Sequence, residues 1–143
     1  MNNFFNKTDL TRKEAENIVS NTLQNCDDGE LYLENSKTES ILLDDNKIKN
    51  SSYSSDFGYG LRAVTGEVVA YSHSNDVSKN SLKASSENLN STLKSKKGTY
   101  NHSISKTNKK FYADIDPIEE KSLNSKLNIL KELGEANQIS SKI

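Results

Sequence analysis

A chain of 143 residues is the size of one domain. Its apolar share is 32% and its mean hydropathy −0.80, well below the ~45–50% of an average domain. Either it carries long polar excursions, or part of its core is supplied from elsewhere. Charged residues at 27% and a net charge of −1 argue against a chain kept unfolded by self-repulsion, and against a nucleic-acid-binding surface. A single cysteine, Cys26, cannot close an internal disulfide, so a reducing compartment is expected. The opening MNNFFNKTDLTRKE holds no apolar stretch long enough for a signal peptide. The longest unbroken apolar run, Val68 to Tyr71, falls far short of the ~20 residues a membrane helix needs. The expectation is a soluble, cytoplasmic protein without a membrane contact.

Thr11-Arg12-Lys13-Glu14 is a capping-box pattern, in which hydroxyl and carboxylate each satisfy a free backbone donor. Behind it Ala15, Ile18, Val19, Leu23 and Cys26 share one face of an amphipathic helix that should end near Asn25. Cys26 closes that face as a small buried hydrophobe. From Asp28 the period changes to two. Leu31 and Leu33, Ile41 and Leu43, Lys47 to Lys49, Phe57 to Val64, and Glu67 to His73 read as five short strands. Asp44-Asp45-Asn46 and Thr65-Gly66 supply turns, which indicates an antiparallel meander. With Thr65-Gly66 as a two-residue loop, Leu61 faces Ala70 and Gly60 faces Tyr71. Leu61, Ala63, Val68 and Ala70 then form an apolar face, while Arg62, Val69, Tyr71 and His73 share the other with Gly58 and Gly60. A bare glycine beneath Tyr71 lets the ring cover open backbone.

Asp76 can cap a helix running from about Val77 to Lys94, striped by Leu82, Leu89 and Leu93. Ala84, Ser85 and Ser86 on it permit close packing on the sheet. Residues 95–110 are Lys, Ser, Asn, Thr and Gly with little period, a polar loop. Pro117 suits a first helical turn, Glu119-Glu120 favour a helix start, and Leu123, Leu127, Leu130 and Leu133 stripe a last helix that Gly134 can stop. The whole reads as a single α+β domain, 1–143: a mostly antiparallel sheet of about five strands, an amino-terminal helix and two later helices packed on it.

Chemistry is conspicuous by what these residues omit. A zinc peptidase of the zincin type needs two histidines one helical turn apart and a carboxylate to activate water. Only His73 and His102 are present, far apart in sequence, and neither begins such a motif. No nucleophile elbow, phosphate loop or CxxC occurs. Gly58-Tyr59-Gly60 lacks the third glycine of a dinucleotide fingerprint. Asp27-Asp28 and Asp44-Asp45 sit where turns form. No catalytic, cofactor-binding or metal residue is assigned. Arg62 is expected in a salt bridge with Glu67 or Glu39, and Arg62 and Tyr71 are the candidates for contacting a substrate or partner.

Several segments, in order, resemble the amino-terminal domain of the TldD/PmbA family, TldD most closely. They are Asp28-Gly29-Glu30-Leu31-Tyr32-Leu33-Glu34, Glu39-Ser40, Asp44-Asp45, Gly58 to Val64, Gly66-Glu67, Ala70 to Ser74 before Asp76, and Asp116-Pro117 before the leucine-rich helix. The resemblance implies a cytoplasmic zinc metallopeptidase that acts on peptides such as microcin precursors and works as a homodimer or beside a PmbA-type partner. It also implies that this region walls the substrate channel and adds to the dimer. The family's HExxxH motif and late cysteine are absent from these 143 residues. Cys26 matches neither, so the zinc belongs to the full-length family and this chain alone is expected to be inactive. A truncated product or one half of a split gene is the reading that follows. The rivals are a non-catalytic peptide- or protein-binding module and a remnant.

Overall fold

The computed structural model describes residues 4–93, Gly98 and 115–140, with side chains through Ala136. The polar segment 95–110 and His102 otherwise lie outside the described residues. The elements are a 3-10 turn at Phe4–Lys7, α1 at Arg12–Leu23, β1 at Asp28–Asp44 and β2 at Lys47–Thr65. They are followed by β3 at Val68–Ser74, α2 at Lys79–Leu93 and α3 at Leu123–Ser140. Among the described residues the sheet has three strands in the order β1-β2-β3, with β2 and β3 antiparallel. The fold is α+β.

Among the described residues the strand count is three where the alternation suggested five. The first two expected strands run together as β1, and the next two as β2. Nothing between them stops an extended chain: residues 34–40 and 50–56 contain no glycine or proline, and Ser, Thr and Asn solvate an extended backbone. The two hairpin turns follow residue chemistry closely. Asp45 and Asn46 both take positive φ, 49° and 55°, as a type I′ loop requires of its two central residues. Gly66 supplies the left-handed φ of 60° at the first position of the second loop, the place a II′ turn reserves for glycine.

The chain divides into two compact units. Unit 1 is residues 1–35 and 56–111, and unit 2 is residues 36–55 and 112–143. Among the described residues, all the buried apolar side chains belong to unit 1. They are Leu10, the α1 face Ala15, Val19 and Leu23, then Cys26, Tyr59, Leu61, Ala63, Ala70, Val77, and Leu82, Leu89 and Leu93 of α2. The α1 cap forms as its sequence dictates: the Thr11 hydroxyl accepts from the Glu14 amide, and the Glu14 carboxylate accepts from the Thr11 amide. α1 and α2 pack together and share a hydrogen bond between the Thr22 and Ser86 hydroxyls at 2.6 Å. α2 begins later than the sequence suggested. Ser78 caps it, accepting from the Ser81 amide, and the Asp9 carboxylate accepts from the Lys79 amide. Asp76 instead receives the Ser78 hydroxyl. Ser85 is buried, whereas Ala84 faces solvent.

Lys79 also reaches Glu14 at 2.6 Å. That contact, followed by the Thr11 donors, lowers the Glu14 carboxyl from 4.5 to about 2. A depressed carboxyl stabilises the fold above its unfolded pKa and loses that contribution as pH falls through the folded value. The native chain should therefore lose stability between pH 4.5 and about 2 more steeply than Glu14→Gln. Unfolding followed by circular dichroism across that range reads the difference; parallel curves would assign the acid sensitivity to other groups.

Unit 2 holds the distal β1–β2 hairpin and α3. None of its described residues is fully buried. Lys37 donates to Asp116 at 2.6 Å and to Glu119; these contacts raise the Lys37 pKa and lower that of Asp116. Lys126 donates to Glu39 and to the Ile118 carbonyl. Pro117 and the two glutamates lie in a turn ahead of α3, which is capped by Ser122, so the helix starts one turn later than its proline suggested. Gly134 does not stop it. An added Cβ there would stand 2.6 Å from the Asn46 side-chain oxygen, so glycine serves close approach to the hairpin loop. The leucine stripe is only partly covered: Leu127 and Leu130 are half-buried, and Leu123 and Leu133 are exposed.

Candidate functional site on the outer face of the unit 1 sheet

The β2–β3 pairing sets which side chains share a face. Thr65 pairs with Val68, Ala63 with Ala70, Arg62 with Tyr71, Leu61 with Ser72 and Gly60 with His73. The loop is therefore Gly66-Glu67, and the register is slipped by two residues from the one expected with Thr65-Gly66 at the tip. A one-residue slip would have turned every side chain over, but a slip of two preserves the faces. Leu61, Ala63 and Ala70 are buried, while Val69 and Tyr71 are 60% and 63% exposed. The face assignment holds although the pairs do not.

The inner face is tied to α2 by a small polar cluster. The buried Tyr59 hydroxyl lies 2.9 Å from Ser81 Oγ and 2.8 Å from Ser85 Oγ, and Ser72 donates to Ser85 at 2.9 Å. Ser85 is buried and has partners for its hydroxyl, which explains a serine on an otherwise leucine-striped helix face.

The outer face carries the candidate residues. Arg62 reaches Asp28 at 2.7 Å and Glu30 at 2.9 Å, the first contact and then the second raising its pKa. Its partners are thus β1 residues and not Glu67 or Glu39; Glu39 pairs with Lys126 in unit 2. The long β1 places its even-numbered side chains beside Arg62, a neighbour that reading the β2–β3 hairpin alone did not bring in. Tyr71 leans along the strand. Its hydroxyl would lie 2.6 Å from a Cβ on Gly60, so the ring covers a diagonal glycine, as the bare backbone invited. His73 stacks on Tyr71 with ring centres 5.8 Å apart and planes at 25°. The structure therefore brings Arg62, Tyr71 and His73 onto one face.

Next to them is a shallow groove of about 260 Å³, lined among others by Tyr32, Glu34, Asp56, Tyr71 and His73 over Gly58 and Gly60. Tyr32, Glu34 and Asp56 are members that sequence reading did not single out. The available signal was parity, since they stand at even positions of β1 and β2, as do Asp28, Glu30 and Arg62. Of the paired acids, Asp27 accepts from the Gly66 amide at 2.7 Å, Asp28 holds Arg62, and Asp44 meets Lys49 at 3.6 Å. Cys26 is buried, its thiol 3.6 Å from the Thr22 carbonyl oxygen. Among the described residues, no three His, Cys, Asp or Glu side chains gather as a metal site, so the described donors do not fit a zinc ion. No described helix is long and apolar enough to cross a membrane.

Residues 29–95 match the family model for the PmbA/TldA metallopeptidase domain 1. The chain carries a TldD/PmbA first domain. It is 32% identical over 105 residues to a metalloprotease TldD homolog of Buchnera aphidicola from Acyrthosiphon pisum, covering 73% of this chain and 22% of that protein. The homolog of Buchnera from Schizaphis graminum is 30% identical over 107 residues, 74% of this chain and 22% of its own length. The Haemophilus influenzae homolog is 30% identical over 115 residues, 75% and 23%. The chain thus spans under a quarter of the length of these relatives. The matched TldD/PmbA segment takes in most of β1, all of β2, β3 and α2, and with them the outer face holding Arg62 and Tyr71.

Proposed function

We propose that this chain serves as the amino-terminal domain of a TldD-like zinc metallopeptidase, walling the channel through which a peptide reaches the catalytic centre and adding to the contact between paired subunits. The supporting observation is likeness to metalloproteases over almost three quarters of the chain, joined to its span of 22% of their length. In the whole enzyme a zinc ion held by the family's HExxxH motif and late cysteine would supply Lewis-acid activation of water and the scissile carbonyl. The task of this domain is to bind and orient. The outer face of unit 1 offers tyrosines and an arginine held in place by two carboxylates, a surface that meets substrate without reacting with it. Unit 2 exposes Ile48, Leu123, Ile129 and Leu133, and exposed apolar side chains of this size suit coverage by another domain or subunit.

A second reading has one observation in its favour. β3 stands at the end of the sheet order, and a strand with one unpaired edge can take up an extended peptide by main-chain hydrogen bonds. A binding module of that kind needs no catalytic region. The transcript that encodes this chain separates the two readings. An HExxxH sequence followed by a late cysteine, in frame or in an adjacent reading frame downstream, is the expected finding. A transcript without either would favour the binding module.

A further inference from the structure

We propose that the outer-face groove of unit 1 receives a basic side chain, lysine or arginine, of an extended peptide. The inference rests on the reading of this face as one that meets peptide, and it adds the class of side chain. Charge carries it. The strand segments 28–34 and 56–75 contain one cation, Arg62, which Asp28 and Glu30 already hold. Glu34 and Asp56 line the groove, and neither has an ion-pair or hydrogen-bond partner among the described residues. The face therefore presents four carboxylates against one guanidinium, with two carboxylates left over at the groove itself.

Shape and chemistry agree with that charge. Tyr32 and Tyr71 are 59% and 63% exposed and stand on either side of a floor of Gly58 and Gly60. Glycine leaves the floor low, and Tyr71 closes over one part of it. A long aliphatic stem can lie along such a floor beside tyrosine rings while its charged head reaches a carboxylate, with the ring faces adding cation–π attraction. An acidic or purely apolar side chain would leave Glu34 and Asp56 unpaired in a narrowed, less hydrated space. The apolar walls alone would accept many side chains, but the two spare carboxylates select the cation.

The test uses the full 143-residue chain and three blocked pentapeptides, Ala-Ala-X-Ala-Ala, with X arginine, lysine or citrulline, titrated by two-dimensional NMR. Saturable shifts are expected at the amides of Gly58, Gly60, Tyr71 and His73 for the arginine and lysine peptides. Citrulline keeps arginine's shape without its charge and should bind at least about tenfold more weakly, the size of one cation contact in Kd. Glu34→Gln with Asp56→Asn should weaken the arginine peptide by about the same factor while the spectrum keeps the native dispersion. Equal binding of citrulline, no change in the double variant, or no saturable shift would each overturn the proposal. Because it reads binding by this chain, such a failure would leave the metallopeptidase-domain reading standing on its own separate tests.

Discussion

Leu61→Ala is expected to destabilise unit 1 by about 2–5 kcal/mol, the range for emptying a buried leucine site. Leu61 is 0% exposed, and it belongs to the cluster that joins β2, β3 and both helices of this unit. Truncation there opens a cavity inside that shared cluster. The loss is a large share of the ~5–15 kcal/mol that holds an ordinary domain together. The adjacent substitution Arg62→Ala should cost under about 1 kcal/mol, because its ion pairs are with carboxylates that face solvent; Asp28 and Glu30 side chains are 58% and 62% exposed. Urea unfolding of the two variants, compared at matched slopes, reads the contrast. A costlier Arg62→Ala than Leu61→Ala would mean that the β2 faces are reversed.

That contrast was legible in the sequence because alternation along a strand is a strict physical signal. The faces of β2 and β3 survived an error in the turn because the error was an even number of residues. What fixed the true loop was glycine's access to positive φ at residue 66, which puts Gly66 first in the loop and not second. The α1 cap and face were equally plain, since Thr11 and Glu14 satisfy each other locally. Information that depends on distant segments was not. Asp28 and Glu30 as partners of Arg62, Asp9 at the start of α2 and Lys126 with Glu39 all join residues far apart in sequence. Strand lengths were misread for a different reason. The polar stretches within β1 and β2 looked like interruptions, yet they contain no glycine or proline break and stay extended within one strand each. The outer face was half visible: Arg62 on the glycine-rich strand β2 and Tyr71 on its neighbour β3 stood out, whereas Tyr32, Glu34 and Asp56 gained meaning only once β1 lay beside β2.

This chain is proposed to be a working first domain of a TldD-like metallopeptidase. The most direct measurement replaces the matching segment of the Haemophilus influenzae relative with this chain and follows cleavage of a peptide that the parent enzyme hydrolyses. A domain that walls a substrate channel contributes by positioning, and a displacement of about 1 Å in such a wall costs on the order of 100-fold. The chimera is therefore expected to cleave the peptide within roughly 100-fold of the parent rate, and Leu61→Ala in the chimera should lower that activity further. A parent lacking the segment should be inactive. A folded, zinc-loaded chimera that cleaves no faster than the parent without its first domain would contradict the account.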